Sequence, residues 1–296
     1  IGNVFMKSDD NPFLKVYTGE KTDATLVADA QSGSKQALEE LLLKHQPFIY
    51  NVAWKMVRHP ADAKDLTQEA LIKIVTNLSK FQGKSKFSTW CYRIVVNHFL
   101  ASKRKASEAV FTSFDVHANA LENTPDTTMT DAEKKANEKL IKEMNYSCMS
   151  GMLLCLNRDQ RIVYILGEMF DADQTIGSEI LNISKDNYRK KLSRARKDMF
   201  NYMNNKCGLV NKDNPCRCHK KVQFAIDNKI IDAKNLLFNR DEFSNFKDVI
   251  KPDADFMIET VEDKFDELYR QMPFKKDFDK KTFLQDIIND KKINQA

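Results

Sequence analysis

The chain has 296 residues, 42% of them hydrophobic and 30% charged, with a formal net charge of +5. These proportions suit a soluble helical protein of roughly two or three domains, and 8 Gly and 7 Pro are too few for a turn-rich all-β fold. No stretch approaches the ~18 uncharged apolar residues of a membrane span, and Ile1–Glu20 lacks a signal-peptide core, so no membrane span and a cytoplasmic location are expected.

From Asp23 to Arg104 the apolar residues recur at helical spacing. Leu38, Leu41, Leu42 and His45 share one face, and Pro47 is expected to interrupt that helix. Ile49, Val52, Ala53 and Met56 begin a second helix ending near His59-Pro60. Leu66, Ala70, Leu71, Ile74 and Leu78 stripe a third. Phe81 to Lys86 reads as a loop, and Ser88 is positioned to cap a fourth helix. Residues 24–105 thus form a four-helix domain.

Residues 106–150 change character. Ala106 to Thr130 is rich in Ser, Thr, Asn and Asp with little periodicity, which predicts a mobile linker. Helical spacing resumes near Asp131, and a compact second domain occupies 151–205. Within it, Asp173–Leu181, the Asn182-Ile183-Ser184 turn and Lys185–Met199 read as a helix-turn-helix with Ser184 as N-cap. Tyr188, Leu192, Ala195 and Met199 turn inward. Lys185, Asn187, Arg189, Lys190, Lys191, Ser193, Arg194 and Lys197 face out, a composition that suits phosphates and base edges as well as it suits a solvated basic face. Charge follows the same divisions: residues 1–105 carry 16 Lys/Arg against 10 Asp/Glu, 106–150 carry 4 against 8, and 151–206 carry 10 against 7. Two basic modules flank an acidic connector, which suggests a polyanionic partner.

Two segments read together carry a family resemblance. Asp62-Ala63-Lys64-Asp65-Leu66-Thr67-Gln68-Glu69 resembles the D-A-E-D-L-x-Q-E signature of extracytoplasmic-function sigma factors. Phe81-Gln82-Gly83-Lys84-Ser85-Lys86-Phe87-Ser88-Thr89-Trp90 resembles their F-x-G-x-S-x-F-x-T-W segment, with Tyr92-Arg93-Ile94 and Asn97 following. Gln160-Arg161, Ile180–Ser184 and Leu192–Arg196 resemble the family's second domain, so the likeness covers roughly residues 24–203 in family order. Lys64, Asn157 and Gly177 depart from the pattern. A Gly inside a helix costs about 1 kcal/mol against Ala, so a weakened or re-angled second domain is expected.

The resemblance implies an all-α transcription-initiation subunit that binds core RNA polymerase and directs promoter recognition and melting. Asp62, Asp65, Gln68 and Glu69 would dock on polymerase. Gly83, Lys84, Ser85, Lys86, Trp90, Tyr92, Arg93 and Asn97 would open and hold the minus-ten element, with Lys103 and Arg104 on backbone phosphates. For Trp90 a place in the core is an equal reading. Lys185, Asn187, Arg189, Lys190, Ser193, Arg194 and Lys197 would meet double-stranded DNA at the minus-thirty-five element. The rival reading, a stand-alone helix-turn-helix regulator, leaves Asp62–Trp90 without a role. A catalytic function is disfavoured, because no carboxylate–His constellation or phosphate-cradling Gly loop is present.

Residues 206–296 form an extension beyond that architecture. Cys207, Cys216 and Cys218 with His219 either hold a structural zinc or are reduced thiols in a turn. No cofactor is otherwise required. The tail beyond Val222 carries many Phe, Ile and Leu at helical spacing. An autoregulatory module, a dock for a regulatory or activator protein, and a stabilising cap all fit it.

Overall fold

A computed structural model of the chain describes residues 22–104, 106–238, 243–245 and 268–275. The reading of Ile1–Glu20 and that of most of the tail lie outside these residues. The first unit comprises α1 (Asp23–Gln31), α2 (Lys35–Val57), α3 (Pro60–Asn77) and α4 (Phe87–Ala101). Thr22 and Ser34 cap α1 and α2 by accepting the Thr25 and Ala37 backbone N–H groups. Pro47 does not interrupt: α2 runs straight through it. A proline inside a helix costs ~3 kcal/mol. Here Leu41, Leu42, Phe48, Ile49, Val52 and Met56 are buried on both sides of it, and burying several such side chains outweighs that cost. The two expected helices fuse, and α1 restores the count to four.

The stretch expected to be mobile, Ala106–Thr130, holds a 3₁₀ turn at Ala106–Ala109 and α5 (Phe114–Glu122); α6 (Asp131–Ala136) and α7 (Glu138–Cys155) follow where helical spacing was expected to resume. Ser113 caps α5, and a reciprocal Thr130–Glu133 capping box opens α6. The anchors are few: Glu108 and His117 are buried, and Thr127 N–H donates to the Lys220 carbonyl at 2.9 Å. Isolated anchors leave no periodic stripe, which is why the composition read as a linker.

The second unit continues with α8 (Arg158–Tyr164), a π-helical turn at Ile165–Met169, α9 (Gln174–Leu181) and α10 (Lys185–Lys206). Asp173 caps α9 by accepting from the Thr175 and Ile176 N–H groups, Asn182 takes the left-handed conformation at φ 53°, and Ser184 caps α10. α10 runs seven residues past Met199, to Lys206. Gly177 has a packing role rather than a weakening one. A methyl group there would lie 2.2 Å from Cζ of Tyr188, so the bare backbone lets α9 and α10 close on that buried ring.

Beyond α10 come α11 (Cys218–Asp227) and a short antiparallel pair, β1 (Phe243–Asn245) with β2 (Pro273–Lys275). The fold is all-α with this pair as its strand content among the described residues, where the tail was expected to be helical. One continuous apolar core links both units and residues 268–275 of the extension. Among the described residues, no helix is long and apolar enough to cross a membrane.

Candidate nucleic-acid interface

α3 presents an acidic row. Asp65 and Glu69 are exposed and Gln68 is half-buried, all off the Leu66/Ala70 stripe that faces the core. Glu69 meets His98 of α4 at 2.9 Å. Asp62 is committed elsewhere: it accepts a 2.5 Å bond from Ser107 Oγ, joining α3 to the connector.

Beside this row a cleft of about 340 Å³ opens between α3 and α4, lined by Lys73, Asn77, Lys80, Trp90, Ile94, Asn97 and His98. Trp90 is half-buried against Phe81 and Phe87, with ring centroids 5.3 and 5.6 Å away, so it serves the core and still shows one edge to the cleft. A second cleft of about 360 Å³ shares Lys73 and His98 and ends at the exposed Lys103 and Arg104. Cations thus rim an apolar floor, an arrangement suited to an unstacked base and its phosphates. Gly83 lies on the adjoining loop at φ 69° with open space around it, flanked by exposed Lys84 and Lys86 and half-buried Ser85.

Two residues do not sit where the resemblance implied. Tyr92 is 2% exposed, packed on Phe48 and bonded through its hydroxyl to His45 Nδ1 at 3.1 Å, so its ring is closed to a base. The reason is helical phase, since Tyr92 falls on the same face as Val95, Val96 and Phe99. Arg93 donates from Nε to the Glu179 carbonyl of α9 at 2.8 Å.

On α10, Lys185, Asn187, Arg189, Lys190, Ser193, Arg194 and Lys197 are all exposed, and Arg189 pairs with Asp186. Opposite them Tyr188, Ala195 and Met199 are buried.

A buried ionic node escaped the sequence reading. Glu108 is fully buried and accepts from Arg158 Nη2 at 2.5 Å and Arg161 Nη1 at 3.0 Å. Arg161 also donates to the carbonyls of Met56, Leu154 and Leu156. Burial pushes the Arg161 guanidinium down to about 10, against the pull of Glu108. Arg158 caps α4 through the Phe99 and Ser102 carbonyls. The only signal for this node was a Gln160-Arg161 dipeptide, with nothing local to say which acid it meets.

The zinc reading is corrected. Among the described residues, no group of three or more His, Cys, Asp or Glu side chains is placed to hold a metal. Cys207 and Cys216 sit at an isolated backbone bridge and Cys218 opens α11, with His219 the next residue of that helix. Arg217 fastens the turn, donating to the carbonyls of Lys212, Asn214 and Cys216 and filling the space that a side chain at Gly208 would need. Burial holds the three thiols above their usual range, Cys218 at about 12.

Comparison with known proteins supports the sigma-factor reading over its rival. Residues 41–108, which hold both the acidic row and the clefts, match the Sigma-70 region 2 family. Over 185 residues the chain is 28% identical to the ECF RNA polymerase sigma-E factor of Haemophilus influenzae, covering 61% of this chain and 94% of that one. The chain is similar to the extracytoplasmic-function sigma factors over about 60% of its length, and residues 41–108 carry the Sigma-70 region 2 match. It is also 24% identical over 171 residues to SigW of Bacillus subtilis, covering 57% of itself and 90% of SigW. It is 36% identical over 100 residues to the sigma-H factor of Pseudomonas aeruginosa, of which it spans about half, 52%. A solved structure of CnrH in complex with the cytosolic domain of CnrY matches at a TM-score of 0.40 and 19% identity, over 60% of this chain and 93% of that one.

Proposed function

We propose that this chain is a sigma factor that docks on core RNA polymerase through Asp65, Gln68 and Glu69 of α3 and directs it to promoters. The α3–α4 clefts with the Gly83–Lys86 loop receive the melted minus-ten element, Trp90 and Asn97 meeting bases and Lys103 and Arg104 the backbone. The exposed face of α10 reads the duplex at the minus-thirty-five element. The observation that carries this reading is adjacency: within the matched region, an exposed acidic row borders an apolar cleft rimmed by Lys73, Lys80 and Asn97. One surface thereby offers charge to a protein and a lined cleft to a strand.

The test is co-purification and transcription. Asp65→Lys should weaken core-polymerase association about tenfold or more, since a like-charge juxtaposition costs several kcal/mol across an interface, and should leave the fold intact because Asp65 is exposed. Arg189→Ala, Lys190→Ala and Arg194→Ala should bind polymerase normally and lose promoter-directed transcription, by ~1–3 kcal/mol for each guanine contact removed. Unchanged association of the Asp65 variant refutes the docking face; normal transcription by all three α10 variants refutes the reading helix.

A further inference from the structure

The two DNA-reading elements sit too close together to use a promoter at once. α9 packs directly on α4, pinned by Arg93 and Glu179, and α10 packs on α9. Packed helix axes lie 8–10 Å apart, which puts α4 and α10 within roughly 20 Å of each other. The minus-ten and minus-thirty-five elements are about 25 base pairs apart, and at ~3.4 Å per step they are separated by roughly 85 Å. The units must part before both elements can be engaged.

Besides the Glu108–Arg158/Arg161 node and the α4–α9 contact, a short piece of the extension also ties the units together, gripping each from a different side. On the first unit, Asn51 of α2 donates to the Lys275 carbonyl at 2.8 Å and accepts from the Lys275 N–H at 3.0 Å. Lys55, one turn on, donates to the Pro273 carbonyl at 2.6 Å. On the second, Tyr269 is fully buried edge-on to Tyr164, 5.4 Å between centroids, and Arg270 donates to the Glu168 carbonyl at 3.2 Å. Met272 and Phe274 between them are buried as well. Side-chain bonds to its backbone on one side and aromatic burial on the other are what a fastener between two bodies requires. Asp65 and Glu69 remain exposed while it is closed, so polymerase can take hold of α3 first.

We propose that residues 268–275 are an intramolecular latch that keeps the free sigma factor closed and unable to span a promoter, and that docking on core polymerase releases it. The release half rests on the docking reading above; the latch itself does not.

The test uses the full chain carrying a dye pair at the exposed Ser79 and Asn201, introduced through unnatural amino acids. The free parent should show high energy transfer that falls when core polymerase is added. Tyr269→Ala/Met272→Ala should show low transfer without polymerase. It should also bind a random-sequence duplex with a central bubble about tenfold more tightly, since apparent affinity scales with the open fraction. If that pair of changes abolishes the far-UV signal, Lys55→Met carries the test: it removes the grip on Pro273 and fills the same space without a buried charge. Low transfer in the free parent, or unchanged transfer and DNA affinity in the folded variants, overturns the latch. If the variants open but polymerase neither binds nor lowers transfer in the parent, the latch stands and the docking reading falls.

Discussion

Lys55 is a cation placed where water does not reach. It is 4% exposed, its ammonium lies 4.7 Å from the Trp54 ring centre, and it donates to the Pro273 carbonyl. Burial pulls its pKa from 10.5 down to about 7. Between those two values the unfolded chain binds the proton and the folded one gives it up, so stability rises with pH across that window and levels off at its lower value below about 7, where both states carry the proton. Each unit climbed adds up to ~1.4 kcal/mol. Between pH 7 and pH 9 the parent should therefore gain roughly 2–3 kcal/mol on Lys55→Met in paired thermal or urea melts. Parallel curves for the two proteins would show that Lys55 is not desolvated. A lysine on α2 gave no warning in the sequence, because its partner carbonyl lies 218 residues away.

At the scale of elements, α9 and α10 show how a local rule is overridden by a contact. Gly177 looked like a flaw in a helix, yet the Tyr188 ring occupies the space its side chain would need. Gly177→Ala gains about 1 kcal/mol of helix propensity but overpacks against that ring at ~1–3 kcal/mol or more. The expected outcome is a lower unfolding midpoint with α10 displaced; a midpoint at or above the parent's would contradict the close approach. The same contrast explains what could be read in advance. Caps such as Ser184 and stripes such as Leu66/Ala70/Ile74 are local, and they placed the helices and the exposed face of α10. The continuity of α2 through Pro47 depends on the burial of its neighbours, a tertiary fact, and α5 leaves no stripe to read because His117 and Ala118 are its only buried residues. For Tyr92 the motif names the residue, and the helix phase decides which way it looks.

For the whole molecule, Glu108 is the joint. It belongs to the connector, meets Arg158 and Arg161 of the second unit, and through Arg161 reaches the Met56 carbonyl at the end of α2. Removing one partner of a buried pair leaves an uncompensated charge, at ~3–5 kcal/mol. Arg161→Leu strands three carbonyls and part of Glu108, so it should lower stability by about that amount and loosen both units together. Two separate unfolding steps with the first unit unchanged would show that the node is local to α8. Adding Glu108→Gln should recover part of the loss, because it removes the stranded charge.

The latch joins distant parts of the chain: Asn51 and Lys275 are 224 residues apart. During synthesis, both DNA-reading helices are complete when Lys206 has been added, about 70 residues before Lys275. At ~5–20 residues per second the ribosome needs roughly 3–14 s to cover that distance. Every newly made copy therefore passes through an interval in which its reading elements exist and its fastener does not. The order of the genetic message alone gives each molecule a brief period in which the Glu108 node joins its units but the latch does not, and polymerase present at the site of translation would meet it then.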